Sequence, residues 1–255
     1  MKNIGIIPAR MASSRFPGKP LAKIIGIPMI GHVYFRSRLS KMLDEVYIAT
    51  CDHEVIDYAD SIGAKAIMTK DTHERASDRT AEAMLKIEKE SGKIGIVVMI
   101  QGDEPMIYPE MIDEAVRPLM DDSLIQVSNL MSPMTKKEQE DPNEVKVVFD
   151  KKGFALYFSR EPIPSWMKGA KTVPMFKQVC VIHFRRDFLL KFNELEPTPL
   201  EVVESVDMLR VLEHGYQVKM IKTEYETYSV DTQEDLIEVE KCMRQDQLIS
   251  LYKKG

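Results

Sequence analysis

Short continuous apolar runs alternate, through the first half of the chain, with segments in which apolar side chains recur every three or four positions. Ile4-Gly5-Ile6-Ile7 is such a run, stopped by Pro8, as in a strand buried on both faces. A loop with Pro17, Gly18 and Pro20 follows, and then Met29, Ile30, Val33, Tyr34, Leu39, Met42 and Leu43 recur at helical spacing and predict a helix over 29–43. The same reading predicts a strand at 45–50, a helix at 54–63, a short strand at 64–68, a helix at 77–90 and a fully apolar strand at 95–100. Strands that are apolar on both faces and alternate with helices imply a parallel sheet covered on both sides.

Beyond Pro109 the order changes. A helix to about Met120 leads to a strand at 124–131, and strands at 145–149 and 155–159 flank Asp150-Lys151-Lys152-Gly153, which has the turn residues of a hairpin. A strand at 176–184, a helix at 201–214 stopped by Gly215, a strand at 217–224 and a last helix from Gln233 to about Leu251, with Asp231-Thr232 as capping residues, complete the pattern. The expectation is one doubly wound α/β domain spanning residues 1–255, its later part carrying a mixed-sheet extension.

Composition narrows the function classes. A chain of 255 residues with 35 Lys and Arg against 40 Asp and Glu has a formal charge of −5, which argues against wholesale binding to nucleic acid or anionic lipid. The three cysteines, Cys51, Cys180 and Cys242, are odd in number and widely spaced and form neither a disulfide framework nor a zinc site, so a reducing cytoplasm is the simplest compartment. The apolar run at 94–100 is far short of the ~20 residues of a membrane helix, and the first residues lack the pattern of a secretory leader.

Chemistry concentrates where two strands end. The segment from Pro8 to Pro20 holds Arg10, Arg15 and Lys19, the hydroxyls of Ser13 and Ser14, and Gly18. In an open α/β sheet, ligands bind beyond the carboxyl ends of the strands, where Arg grips phosphate oxygens bidentately and Lys acts as a point charge. The segment is neither a Walker loop nor a GxGxxG dinucleotide signature, and it reads otherwise as a solvated basic loop. Gln101-Gly102-Asp103-Glu104-Pro105 follows the most apolar strand and places a carboxylate suited to Mg²⁺, with Gly102 permitting close approach of the backbone to a ligand. The bland alternative is a polar turn. Asp231 offers a second carboxylate, either converging with Asp103 on a metal or capping the last helix, and spacing alone favours the cap.

At these residues the chain resembles the 3-deoxy-manno-octulosonate (Kdo) cytidylyltransferases. The likeness runs nearly end to end through IIPARMASSRFPGKPL from Ile6, ATCDHEVI from Ala49, QGDEPMI from Gln101, DPNEVKVV from Asp141, ALYFSR from Ala155, LRVLEHG from Leu209 and VDT with EDL from Val230. The resemblance implies a glycosyltransferase-A-like (Rossmann-like) nucleotidyltransferase domain with a mixed, mainly parallel sheet and a small β-rich dimerisation extension, usually a homodimer. It implies coupling of CTP to a sugar acid with release of pyrophosphate. On that footing Arg10 and Lys19 fall on the triphosphate together with Ser13, Ser14 and Arg15, and Pro8, Ala9, Ser77, Arg79 and Gln101 on the nucleotide. Asp103 and Asp231 fall at magnesium, and Arg160 on the sugar-acid side.

The chain departs from the family pattern where the acceptor is held. Arg75-Ala76-Ser77 replaces a Ser-Gly-Thr stretch, Gln178-Val179-Cys180-Val181-Ile182 replaces a His-Leu-Gly-Ile-Tyr run, and Val206-Asp207-Met208-Leu209-Arg210 replaces Leu-Glu-Gln-Leu-Arg. Loss of side chains that pair with sugar hydroxyls weakens discrimination for that sugar. This leads to the expectation of an acidic acceptor other than ordinary Kdo, a modified ulosonate or a phosphonate or phosphate compound, met by Arg75, Arg160, Gln178 and Asp207. A non-catalytic nucleotide binder is the rival from another class, disfavoured by two retained metal-type carboxylates. The five histidines lack ligand spacing, the cysteines lack basic neighbours, and Trp166 in its Pro-rich loop reads as a lid or dimer contact.

Overall fold

The structure is a computed structural model that describes residues 1–12, 16–165, 169, 174–226 and 228–253. Ser13, Ser14, Arg15 and Trp166, singled out from the sequence, lie outside the described residues. The chain falls into two compact units, Met1–Asp113 with Thr227–Gly255, and Glu114–Glu226.

The first unit is built on β1 (Lys2–Ala9), the short hairpin β2 (Lys23–Ile24) and β3 (Ile27–Pro28), α1 (Met29–Ser37), β4 (Glu45–Thr50), α2 (His53–Ser61), β5 (Lys65–Met68), α3 (Ala76–Ser91) and β6 (Ile94–Ile100). Its sheet runs β6-β1-β4-β5, every pair parallel, with Ile6 opposite both Tyr47 and Met99. Residues 4–9 of β1 are all buried, as are all but Gly95 of β6, so the doubly covered parallel sheet expected from the apolar runs is present.

Helix α1 ends six residues before the periodicity does. Asp113 accepts the amides of Lys41 and Met42 and the hydroxyl of Ser40, and Met42 returns its carbonyl to the Asn3 side chain. A carboxylate 71 to 73 positions away in sequence thus takes over the donors that a longer helix would have used internally.

Helix α4 (Pro109–Asp121) contains the boundary between the units. The second unit then holds β7 (Val127–Pro133), α5 (Lys136–Gln139), β8 (Lys146–Phe149), β9 (Ala155–Ser159), β10 (Phe176–Arg185), α6 (Arg186–Glu194), α7 (Pro199–Glu204), α8 (Met208–Glu213) and β11 (Lys219–Lys222). Its strands make a mixed sheet: β11 is parallel to β7, whereas β7 with β10, β10 with β8, and β8 with β9 are antiparallel. The β8–β9 turn is the expected one, with Asp150 Oδ1 accepting the amides of Lys152 and Phe154 and Gly153 at φ +79°.

The single helix expected over 201–214 is two. Ser205 adopts a left-handed conformation, φ 53°, and the Glu204 side chain accepts from Tyr157, Ser159 and the Arg160 amide. Arg160 in turn donates to the carbonyls of Glu204 and Ser205, which ends α7 as a C-terminal cation does. Behind the break, Arg210 and Glu201 form a bidentate ion pair, with side chains only 2% and 5% exposed.

The chain returns to the first unit as α9 (Gln233–Met243) and α10 (Ile249–Tyr252), again two helices where periodicity suggested one. Among the described residues no helix is long and apolar enough to cross a membrane. The Arg210–Glu201 pair gives a stability prediction. Arg210→Met removes one charge and strands the other in a buried site, so it is expected to lower unfolding stability by about 3–5 kcal/mol in urea titration. A loss under about 1 kcal/mol would show that Glu201 is solvated or protonated instead.

Candidate functional site

The carboxyl ends of β1 and β6 open into a cleft in the first unit, lined by Pro8, Ala9 and Arg10 from one strand end and Gln101, Gly102 and Asp103 from the other. This is the edge at which parallel α/β sheets bind ligands. Gly102 has a packing reason to be glycine, because a Cβ there would lie 3.1 Å from the Pro8 carbonyl oxygen and 3.2 Å from Ile30 Cδ1. Its missing side chain therefore lets the two strand ends close on each other, a different use from the ligand approach expected of it.

Lys19 enters the cleft on a 3₁₀ turn that follows Gly18, held at φ +74°. Its ammonium donates to Asp103 Oδ2 at 2.6 Å, to the Val230 carbonyl at 2.9 Å and to Asp231 Oδ1 at 3.3 Å. These contacts engage all three ammonium donors. The two aspartates, 128 positions apart in number, thus converge on one nitrogen. A further bond, from the Val230 amide to the Asp103 carbonyl at 2.9 Å, ties the two backbone segments together. Val230 is fully buried in an apolar cluster with Ile24, Met29, Met106, Leu236, Val239 and Met243, which fixes the returning chain against the loop that carries Lys19.

Asp231 is not the helix cap that spacing favoured. Thr232 caps α9, its hydroxyl accepting the Asp235 amide while the Asp235 side chain accepts the Thr232 amide and, one residue earlier, that of Asp231. The capping box leaves the Asp231 carboxylate outside the helix.

Helix α3 lines the cleft through Ala76 and Arg79, with Arg75 at its N-cap, and the loop before it adds His73 and Glu74. Ser77 is fully buried on the same helix. Arg79 is 3% exposed. Its NH1 donates to Thr69 Oγ1 at 2.5 Å and to the Lys70 carbonyl at 3.3 Å, whereas its NH2 is buried with no hydrogen-bond partner among the described residues. A buried guanidinium donor without an acceptor is costly in a finished core and is expected where a ligand supplies the acceptor.

His73 has no metal-ligand spacing in the sequence. Its Nε2 pairs with Glu82 Oε2 at 2.5 Å, and Glu82 also accepts the Lys70 amide and the Lys86 ammonium. Arg79, Glu82 and Lys86 stand at i, i+3 and i+7 of one helix, and that shared face was the available signal. Burial pushes the Glu82 carboxyl upward, but the bonds from Lys86, Lys70 and His73 outweigh it and hold the group at about 2.

Arg160, Gln178 and Asp207, expected at the acceptor, belong to the second unit. Besides capping α7, Arg160 donates to the carbonyls of Pro142 and Asn143. Gln178 donates to Asn129 Oδ1 at 2.5 Å, and Asn129 spans the irregularity in β10 by donating to the carbonyls of Val179 and Val181. Asp207 immediately precedes α8. The departures Ile182 and Met208 are 5% and 1% exposed and pack as core residues.

Comparison with known proteins adds the following. A family model described as Cytidylyltransferase matches residues 4–248. The 3-deoxy-manno-octulosonate cytidylyltransferase of Geobacter metallireducens is 44% identical over 258 residues, covering 96% of this chain and 99% of that protein. The mitochondrial 3-deoxy-manno-octulosonate cytidylyltransferase of Arabidopsis thaliana is 42% identical over 95% of this chain and 83% of its own length. Among solved structures, a CMP:2-keto-3-deoxy-manno-octonic acid synthetase complexed with CTP superposes with a TM-score of 0.90 at 37% identity, covering 96% of this chain and 99% of the other.

The Glu82 cluster yields a pH prediction. Its carboxyl is held below the usual 4.5, so its contribution to stability is fully present above that pH and is lost as pH falls towards about 2. Glu82→Gln should flatten the fall of the urea midpoint between pH 4.5 and 2 relative to the parent protein. Equal slopes in the two proteins would refute the assignment.

Proposed function

Because this chain belongs to the cytidylyltransferase family, and is thereby a nucleotidyltransferase, we propose that it transfers the CMP group of CTP to 3-deoxy-manno-octulosonate with release of pyrophosphate. The observation that carries the reading is the cleft of the first unit, which Lys19, Asp103 and Arg79 line together, Lys19 gathering Asp103 and Asp231 and Arg79 keeping a buried donor with no partner among the described residues. In the reaction an acceptor oxygen attacks the α-phosphorus of CTP, the bond from that phosphorus to the bridging oxygen breaks, and pyrophosphate departs. Catalysis of this kind is chiefly positioning and charge neutralisation.

Arg10 and Lys19 neutralise the triphosphate and the departing pyrophosphate, and Arg79, with Gln101 and the backbone of Pro8 and Ala9, holds the nucleoside. Asp103 and Asp231 fit a divalent cation. Two carboxylates drawn to a single ammonium form an anionic pair, and among the described residues no third His, Cys, Asp or Glu completes an all-protein cage. That donor set suits Mg²⁺, which takes one or two carboxylates and fills its remaining positions with phosphate oxygens and water. Bound there, magnesium would supply charge neutralisation at the phosphates and acidify an acceptor hydroxyl. Lys19, already between the carboxylates, keeps them facing one another and moderates their repulsion.

The sugar acid is favoured over a non-sugar phosphonate for two reasons. Relatives above 40% identity over nearly the whole chain carry the octulosonate name. In addition, Ile182 and Met208, whose apolar character suggested a lost sugar site, are buried in the core of the second unit. The family match across residues 4–248 also supports one nucleotidyltransferase domain composed of both units. Homodimerisation belongs to the same reading and is supported by Leu156, Val202 and Val203, exposed at 63%, 68% and 79% in the second unit.

The test is pyrophosphate release from CTP with octulosonate, other sugar acids and phosphonates as acceptors. Octulosonate should be the efficient substrate, and chelation of divalent cations should stop the reaction. Asp103→Ala should lower kcat/KM by about a hundredfold or more. Turnover confined to phosphonates, or an undiminished Asp103→Ala enzyme, would overturn the acceptor or the metal assignment respectively.

A further inference from the structure

Asp52 lies outside the cleft lining, yet its carboxylate reaches the base of the cationic loop. It occupies the N-cap position of α2, in extended conformation at φ −107° and ψ 124°, where an aspartate ordinarily accepts an amide of the first helical turn. It makes no such cap bond. Its Oδ2 instead accepts the Met11 amide at 2.7 Å, across 41 positions of sequence.

Strands β1 and β4 stop pairing at Ala9 opposite Thr50, and Met11 and Asp52 lie two residues further along the same register. The side-chain carboxylate therefore stands in for a strand carbonyl and carries the pairing two residues past the end of the sheet. The Asp52 backbone is itself steadied by donation from its amide to Thr50 Oγ1 at 3.1 Å.

Met11 is a double anchor. Its carbonyl accepts the Gly18 amide at 3.0 Å, which closes the loop from 11 to 18, and Lys19 follows directly. Arg10 precedes it. Arg10 is thus joined directly to the residue that Asp52 holds, and one backbone bond links that residue to the turn that delivers Lys19 to Asp103.

We propose that Asp52 is a positioning residue for the triphosphate, giving up the cap of α2 to hold the Met11 hinge and through it the relative placement of Arg10 and Lys19. The inference rests on the reading that this cleft binds CTP. Loss of the bond releases Met11 and lets Arg10 and Lys19 sample orientations in which they do not face the same phosphates, so that their ordering must be supplied by nucleotide binding.

Three variants separate this role from a structural one. Asp52→Ala loses both side-chain acceptor oxygens. Asp52→Ser keeps a competent helix cap but is one bond too short to span to Met11. Asp52→Asn keeps an acceptor oxygen of the right reach. The expected result is a KM for CTP raised about tenfold or more in the Ala and Ser variants, with kcat and the KM for the sugar acid changed by less than about threefold, and with Asn within about threefold of the parent. The Ser variant should keep the parent Tm. Three outcomes would overturn the proposal: a KM for CTP within twofold of the parent in the Ser variant, equal impairment of Asn and Ala, or a loss that affects both substrates alike in step with a lowered Tm. If the parent protein shows no CTP turnover, the underlying reading of the cleft fails. If the parent turns over CTP and the Ser variant is indifferent, only the role of Asp52 fails.

Discussion

The ammonium of Lys19 is the point on which the first unit's cleft depends. It binds an aspartate 84 positions ahead and the Val230–Asp231 segment more than 200 positions ahead, and so makes one polar centre from three pieces of chain. Two facing carboxylates a few ångströms apart repel by an energy on the order of 4 kcal/mol at an effective dielectric of about 20. A cation held between them offsets that repulsion and leaves the group with a net negative charge. The carboxylates are partly exposed, at 28% and 29%, so solvent screens the centre and leaves it open to exchange its partner.

Polar attraction alone does not set that geometry. Val230 is buried among methionine and aliphatic side chains from β2, α1 and α9, and its amide bonds to the carbonyl of Asp103. The apolar cluster places the returning chain, the backbone bond sets its register, and the carboxylate of Asp231 then needs only a rotamer to reach Lys19. Arg79 follows the opposite logic. Half of its fork is consumed by Thr69 and the Lys70 carbonyl, which immobilises the other half as an unpaired donor. A donor held rigid before a ligand arrives loses little entropy when it binds.

The second unit uses buried charge for architecture. Arg210 with Glu201, and Lys177 with Glu138 and Glu144, are ion pairs whose cations lie within the fold, and Lys146 donates to the carbonyls of Asp141 and Arg160. Arg160, only half-buried, serves the same end: its guanidinium joins the end of α7 to the carbonyls of Pro142 and Asn143. Sequence patterns cannot separate such a role from ligand binding, because the residue types that bind an acidic substrate are also those that satisfy helix-end carbonyls.

The sequence by itself determined the alternating strands and helices of residues 1–100 and the turn at Asp150 to Gly153. Apolar runs buried on both faces, and glycine at a positive φ, are local requirements written in consecutive residues. It also placed Arg10, Lys19 and Asp103 in the two segments that follow apolar strands, since that follows from their order in the chain. Only the tertiary structure decided where α1 and α7 stop, because the Asp113 carboxylate captured the donors beyond α1 and the Arg160 guanidinium, from a distant segment, took the last carbonyl of α7. Tertiary structure likewise decided that Asp231 faces Lys19 while Thr232 caps the helix, and that Asp52 holds Met11. A carboxylate satisfies whichever donor the folded chain brings within about 3 Å, and that choice is made by packing, not by its neighbours in sequence.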